Sequence, residues 1–451
     1  MTPDVRQEQA DQAARAILEQ LPTLSQRGLV VDSPPGAGKS TLVVRAADAL
    51  AQSGAPCIVI AQTNSQVDDL VRRFVRLCPH LRIARLTALD YTVPADLPTL
   101  PGVRISARIQ DLGSAHVIVG TAMKWATVAD RRWPWAIIDE AYQMRSDTLL
   151  RIAARLFDKA LFVGDPGQLD PFSSVETHRW AGLPHDPMNS AVAVLLDKNR
   201  DLPVRSLPVS WRLPPSAVPL IRDAFYPFTP FHAGSQTATR TLTFGGIGMG
   251  SPLDAAVDRA ARTGWALLEL PARFTHRIDP EAFQAVVGLA ERLLIRRAII
   301  TCEQHPEGRV LEPRDLAIGT AHRDQAHQIR TLLRHHHPRL HGVTVDTANR
   351  LQGLEFSVTI VLHPLSGRGD ASAFHLEAGR LCVLTSRHRH ACIVVARAGI
   401  AGLLDAHPST DPVHLGSASK IPDGWEANHA VLAHLAEHAV RAWELRGRRR
   451  G

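Results

Sequence analysis

The chain has 451 residues, 45% of them apolar and 21% charged, which excludes general disorder and leaves material for about two or three folded units. No apolar run reaches the roughly 18 residues that a membrane span needs, and Met1–Ala16 lacks the apolar stretch of a secretory signal, so a cytoplasmic protein away from membranes is expected. The net charge is +7 and only five of the 51 basic residues are lysine; arginine's planar fork suits phosphates and bases, so the balance is compatible with nucleic acid without being specific to it.

The cysteines Cys57, Cys78, Cys302, Cys382 and Cys392 contain no C-x-x-C pair, and buried free thiols are expected in place of a disulfide framework or zinc ribbon. In chain order, Leu29–Asp32 reads as a strand, Ser40–Ala51 as a helix, Cys57–Ala61 as a strand and Ser65–Leu77 as a helix. Short apolar runs follow at Val117–Gly120, Ala136–Asp139 and Ala160–Gly164. This alternation predicts a parallel sheet with crossover helices, with ligands at the carboxyl ends of its strands. The stretch Cys78–His116 carries Pro79, Pro94, Pro98 and Pro101 with little periodicity and reads as a small insertion. Pro171–Pro208 is loop-like, and the Gly-, Thr- and Pro-rich Phe228–Leu253 leads into a second unit. There Pro280–Ile299 has a long helical pattern, Asp315–Gly319 reads as a strand and Arg323–His335 as a helix. Val343–Thr347, Val358–His363 and Ala391–Ala396 are further β-branched runs. Asp423–Leu445 has the pattern of a capped amphipathic helix, followed by the basic run Arg446–Gly451. The expected domains are 1–228 with an insertion at about 78–116, then 229–400, then a helical extension with a basic tail over 401–451.

Three strand ends carry chemistry. Ser33-Pro-Pro-Gly-Ala-Gly-Lys-Ser40 lies between an apolar strand and a helix, the context of a phosphate-binding loop. Its backbone, over Pro35, Gly36, Ala37, Gly38, Lys39, Ser40 and Thr41, would cradle the phosphates of ATP at a helix N-terminus. Lys39 would neutralise the β and γ phosphates, and the Ser40 hydroxyl would bind Mg²⁺. Trp135-Ala-Ile-Ile-Asp-Glu140 ends a second strand with two carboxylates: Asp139 to hold Mg²⁺ through water, Glu140 to act as general base on the attacking water. Leu161-Phe-Val-Gly-Asp-Pro-Gly-Gln168 ends a third, where the neutral amide of Gln168 can hydrogen-bond both the γ-phosphate and that water. The run His335-His-His-Pro-Arg-Leu-His341 has no carboxylate or cysteine to complete a metal site and reads as a solvated helix end.

With these motifs in order, the chain resembles superfamily 1 helicases, and more closely their nonsense-decay and RecD-like branch. Asp139-Glu-Ala-Tyr and Gly164-Asp-Pro-Gly-Gln-Leu169 resemble motifs II and III, Ala61–Leu70 motif Ia, and Val119–Ala122 motif Ic. Val209-Ser-Trp-Arg-Leu-Pro-Pro215 resembles the tyrosine-arginine motif, with Trp211 in place of tyrosine. Ile318–Gln325, Val345–Phe356 and Arg380–Arg389 resemble the start of the second RecA-like domain, motif V and motif VI. The resemblance runs from about residue 7 to 396. It implies an α/β fold of two RecA-like parallel-sheet P-loop domains in tandem with small insertions. It also implies that Arg212 and Arg387 are arginine fingers on the γ-phosphate, that Glu355 holds the ribose, and that Gln9 or Gln12 reads adenine. Thr63, Thr121 and Thr347 would bind strand phosphates, and Trp125, Trp133, Trp180, Trp211 and Trp265 are candidate stacking platforms, with core as the alternative for most. The expected function is an ATP-dependent translocase or helicase moving 5′ to 3′ on single-stranded DNA or RNA, with a protein partner for targeting as an option. The alternative is a nucleic-acid-binding ATPase switch that does not unwind.

Overall fold

The computed structural model describes residues 3–129, 131–169, 171, 186, 189–408 and 423–442. Its first sheet is made of β1 (Gly28–Asp32), β2 (Cys57–Ala61), β3 (Ile83–Leu86), β4 (Val103–Ser106), β5 (Val117–Thr121), β6 (Trp133–Asp139), β7 (Phe157–Gly164) and β8 (Val204–Ser206). They lie in the order β4-β3-β5-β2-β6-β7-β1-β8, and all pairings are parallel. The apolar runs alternate strictly between two cores, because successive strand side chains point to opposite faces. Leu29, Val31, Cys57, Val59, Val117 and Ile137 pack under the helices Pro3–Thr23, Lys39–Gln52 and Asn64–Leu77. Val30, Ile58, Ile60, Ile118, Ala136 and Ile138 pack on the other face with the helix Ser146–Leu156. A sheet covered on both faces needs such near-continuous apolar strands.

A parallel pair, β9 (Val209–Ser210) with β10 (His232–Ala233), follows the first sheet. Next comes an antiparallel sheet of β11 (Leu242–Phe244), β13 (Ala298–Cys302) and β14 (His305–Val310), with β12 (Trp265–Leu270) intervening in sequence. The second large sheet joins β12 to β15 (Leu316–Thr320), β16 (Thr344–Thr347), β17 (Phe356–Leu362), β18 (His388–Arg397) and β19 (Ala439–Arg441). Its order is β16-β15-β17-β18-β12-β19, again all parallel. The fold is thus two RecA-like parallel α/β lobes in tandem, with the carboxyl ends of the first sheet facing the residues that open β17 and β18 of the second.

Four expectations are corrected by this architecture. The stretch expected as an insertion at about 78–116 supplies β3 and β4 to the main sheet, and its prolines fall in the connections and in the turn Leu97–Thr99. The helix expected to run to Ile299 stops at Ile295; Arg297 turns the chain through the left-handed region (φ 49°), and Ala298-Ile-Ile-Thr-Cys302 becomes β13. The boundary at 228 lies too far along, because Leu213, Val218, Ile221, Phe225, Tyr226 and Phe231 already belong to the second lobe's core with Trp265 and Val394. The segment 401–451 is not a free extension over its described part: Ala427, Val431 and Leu435 of the helix Gly424–Ala436 join that same core, and β19 pairs with β12. The basic run Arg446–Gly451 lies outside the described residues.

Candidate active site in the interlobe cleft

The phosphate loop leaves β1 and enters the helix Lys39–Gln52 through two left-handed glycines, Gly36 (φ 73°) and Gly38 (φ 88°). Only glycine fits at Gly36 for a second reason: a Cβ there would collide with the Cβ of Arg212. Pro35 and Ala37 are buried, Lys39 and Ser40 are partly exposed, and Thr41 is exposed. Ser33, where glycine is usual, is wholly buried and donates its backbone N–H to Gly164 O at 2.8 Å, so it seals the loop's base between β1 and β7.

Lys39 Nζ meets Glu140 Oε1 at 2.7 Å. Glu140 itself lies in the left-handed region (φ 51°, ψ 45°), a costly conformation for a residue with a side chain. That conformation turns its carboxylate off the end of β6 towards the loop. Burial works against the Lys39 charge, but Glu140, Asp165 and Asp139 outweigh it and raise its pKa. Asp139 accepts the Glu140 N–H at 3.0 Å, and burial followed by the Glu140 charge pushes its carboxyl up to about 7. At the end of β7, Asp165 accepts from Gly167 N (3.1 Å), from Tyr226 OH (2.6 Å) and from Gln168 Nε2. Burial still pushes Asp165 up to about 6, against the pull of Lys39 and Tyr226. Gln168 reaches the other lobe, its Oε1 accepting from Gln352 Nε2 at 2.8 Å. Gly379 makes that approach feasible, since a Cβ there would strike the Gln168 carbonyl.

The second lobe contributes arginines. Arg387 is 0% exposed, and among the described residues its side chain donates only to Ser386 Oγ (2.8 Å). Its Nε and Nη1 have no partner there. Burial, with Arg212 nearby, pulls its pKa down to about 10. Arg212 Nε faces Glu355 Oε2 at 3.4 Å, and Arg389 Nη1 takes the other Glu355 oxygen at 3.3 Å. Glu355 thus sits between Arg212 and Arg389 and is exposed. The Arg212 backbone is pinned to the phosphate loop: Trp211 N donates to Gly36 O (2.9 Å) and Ser210 Oγ to Pro35 O (2.6 Å).

A cavity of about 170 Å³ opens beside the loop, lined by Gln7, Asp11, Ala37, Thr41, Arg45 and Trp211 among others. Gln7 therefore lies on the cavity wall. Gln12 is exposed and does not line the cavity, and Gln9 is half-buried elsewhere on the helix. The signal was present in the sequence: Gln7, Asp11 and Ala14 follow helical spacing towards buried Ile17 and Leu21, while Gln12 falls on another face. Sequence reasoning also missed Tyr226, Gln352 and Arg240, whose roles come from tertiary contacts.

Thr63, Thr121 and Thr347 stand at the ends of β2, β5 and β16, each as the N-cap of a helix. Thr63 and Thr121 accept from Gln66 N (3.3 Å) and Lys124 N (3.2 Å). Thr121 is in register with Ala61, and Thr347 with Thr320 of β15. Trp125, Trp133 and Trp265 are core residues, Trp125 donating to Val59 O at 3.2 Å and stacking edge-on against Trp133. Trp211 is half-buried in the cavity wall, and Trp180 lies outside the described residues. The five cysteines are buried free thiols, and no metal-ligand cluster of His, Cys, Asp and Glu occurs among the described residues. No helix there is long and apolar enough to cross a membrane.

A phosphate loop, a strand-end carboxylate pair, a glutamine at a third strand end and arginines from a second RecA-like lobe define a P-loop ATPase. Family models described as AAA domains match residues 7–181 and 196–399. The chain belongs with the superfamily 1 helicase-like P-loop ATPases. No curated protein matches it. Among solved structures, it is 14% identical to an Arterivirus nonstructural protein 10 (helicase), at a TM-score of 0.44, over 88% of this chain and 64% of that one. The same Arterivirus helicase in complex with DNA gives 13% identity and a TM-score of 0.41, over 88% and 65%. A nuclease-deletion mutant of the Type ISP restriction-modification enzyme LlaGI with a DNA substrate mimic gives 13% and 0.29, over 36% and 17%. The chain spans less than two thirds of the length of the Arterivirus helicase.

Proposed function

We propose that this chain hydrolyses ATP in the interlobe cleft when single-stranded nucleic acid lies across both lobes, and that it moves 5′ to 3′ along that strand. The observation that carries the reading is Arg387. Burying a cation costs several kcal/mol unless a counter-charge compensates it. Here the guanidinium is fully buried at the cleft, with two nitrogens lacking partners among the described residues. Such a group is an anion site, and the γ-phosphate is the anion that a facing phosphate loop would present.

The Gly36–Ser40 amides and Lys39 would hold the phosphates, with Gln7 and Trp211 framing the base. Lys39 would exchange its Glu140 contact for phosphate oxygens, freeing Glu140 to take the proton of the attacking water. Gln168, now held by Asp165 and Gln352, would turn to that water. Arg387 and Arg212 would offset the transition-state charge, with Glu355 passing from Arg212 to the ribose. The oxygen donors Ser40 and Asp139 fit Mg²⁺, because a carboxyl raised by burial and by a second carboxylate gains from a hard cation. When bound, that ion would neutralise the phosphate charge. Thr63, Thr121 and Thr347 would bind successive strand phosphates at the two sheets' carboxyl ends.

A switch that binds strands without unwinding is favoured by one observation: residues 78–116 build sheet strands, so they form no separate element to split a duplex. ATPase assays against single-stranded DNA, single-stranded RNA and duplexes, followed by 5′- and 3′-tailed duplexes, test both readings. Stimulation with displacement of the 5′-tailed duplex is expected, and stimulation without displacement would leave the switch. Glu140→Gln should bind ATP yet lose turnover by about 10²–10⁴-fold; loss of binding would make Glu140 structural.

A further inference from the structure

Arg240 lies outside every motif above, just ahead of β11, and its side chain is only 2% exposed. Its guanidinium donates to two consecutive carbonyls, Arg212 O at 2.6 Å and Trp211 O at 2.7 Å. These are the backbone of the finger and of the residue walling the base cavity. The fork is itself fixed on both sides. Thr301 of β13 accepts Thr241 N through Oγ1 at 3.0 Å and donates that hydroxyl to Thr239 O at 3.0 Å, clamping the chain before and after Arg240. Glu303, in the turn between β13 and β14, meets Arg240 at 2.8 Å and Arg389 at 3.4 Å. Arg389 in turn shares Glu355 with Arg212. A closed circuit therefore runs from the finger's side chain through Glu355, Arg389, Glu303 and Arg240 to the finger's own backbone.

We propose that Arg240 is a positioning residue for the arginine finger Arg212, anchored by Glu303, so that the β11-β13-β14 sheet sets the finger's aim. This rests on the reading of Arg212 as a finger. A guanidinium fork spanning adjacent carbonyls fixes the orientation of the peptide between them, which a lysine's single ammonium does not. A finger displaced by about 1 Å can cost about 10²-fold in rate. The residue acts through Arg212 and touches no substrate, so its effect belongs in kcat.

The test measures strand-stimulated ATP hydrolysis and equilibrium ATP binding for Arg240→Gln, Arg240→Lys, Arg212→Ala and the Arg240→Gln/Arg212→Ala pair. Arg240→Gln should lower kcat by about 10–100-fold with ATP affinity within about threefold. Arg240→Lys should recover part of that loss, and the double variant should be no slower than Arg212→Ala alone, because coupled residues are not additive. Losses that multiply in the double variant, or a kcat for Arg240→Gln within twofold of the parent, would overturn the proposal. If Arg240→Gln does not fold, the half-exposed Glu303→Gln decides: a kcat several-fold lower and non-additive with Arg212→Ala supports the circuit, and an unchanged kcat sinks it. Unimpaired hydrolysis by Arg212→Ala would instead defeat the finger assignment beneath it.

Discussion

In the first lobe, the charges at the cleft answer one another: Lys39 meets Glu140 at 2.7 Å, and Asp165 takes donors from Gly167, Gln168 and Tyr226. In the second lobe, Arg387 is buried as deeply with, among the described residues, only the hydroxyl of its neighbour. The difference assigns the two halves different parts of one task. The first lobe holds its site in a self-neutralised form, which ATP would open by exchange under the proposed function. The second keeps a cation unmet among the described residues, whose desolvation cost would be recovered when an anion arrives. Under the proposed function, nucleotide binding energy would go into drawing the lobes together as well as into holding phosphate.

The comparison predicts its sharpest break at Arg387. Arg387→Met should lower strand-stimulated kcat by about 10³–10⁵-fold and at the same time raise the stability of the nucleotide-free protein by about 1–4 kcal/mol. Thermal melts beside the kinetics would show it, and a variant both slow and less stable would contradict the unmet cation. Arg212→Ala is the control, because Arg212 already has Glu355 and should give the kinetic loss without the thermal gain. Next in size, Lys39→Ala should cut hydrolysis by about 10³-fold; strand-stimulated turnover at the parental rate would end the phosphate-loop assignment.

The smallest effect is in pH, where the lobes carry opposite signs. Asp165, raised by burial to about 6, stabilises the fold while protonated and loses that contribution as pH climbs through 6. His363, which burial lowers to about 4, contributes above its unfolded value of about 6.5 and loses that contribution as pH falls towards 4. His388, lowered by burial to about 3, behaves alike. Asp165→Asn should therefore gain stability at pH 8 relative to pH 5 by about 1.5 kcal/mol, and His363→Gln at pH 5 relative to pH 8 by about 2 kcal/mol. Denaturant melts at the two pH values check this, and shifts of the same sign would refute it.

Much of this was legible in the sequence, for a physical reason. Parallel strands buried on both faces must be apolar runs, and ligand-binding residues must follow their carboxyl ends, so Lys39, Asp139, Glu140 and Gln168 are marked by position as well as by type. β3 hid because it carries Arg85 in its middle, an arginine buried at 0% exposure against Asp68 at 2.9 Å, with Tyr91 on the same carboxylate. A buried ion pair breaks the apolar pattern while leaving the strand intact. The place of Gln7 on the cavity wall was readable from helical register, but Gln9 and Gln12 competed on spacing alone. The lobe boundary was not readable, since Leu213–Phe231 is apolar in either core and only packing chooses. Arg240 is one arginine in an arginine-rich chain until two carbonyls select it.

The segment Ser210–Leu213 is laced to the phosphate loop at Pro35 and Gly36, while Leu213 onward is embedded in the second lobe. The same few residues are thus bolted to both bodies. A rotation of the lobes would turn about this crank, so Arg212 would move least when the outer ends of the cleft move most. Lengthening the chain between β8 and Leu213 would let the lobes drift without carrying the finger along, whereas lengthening the loops at the far ends of the sheets would not.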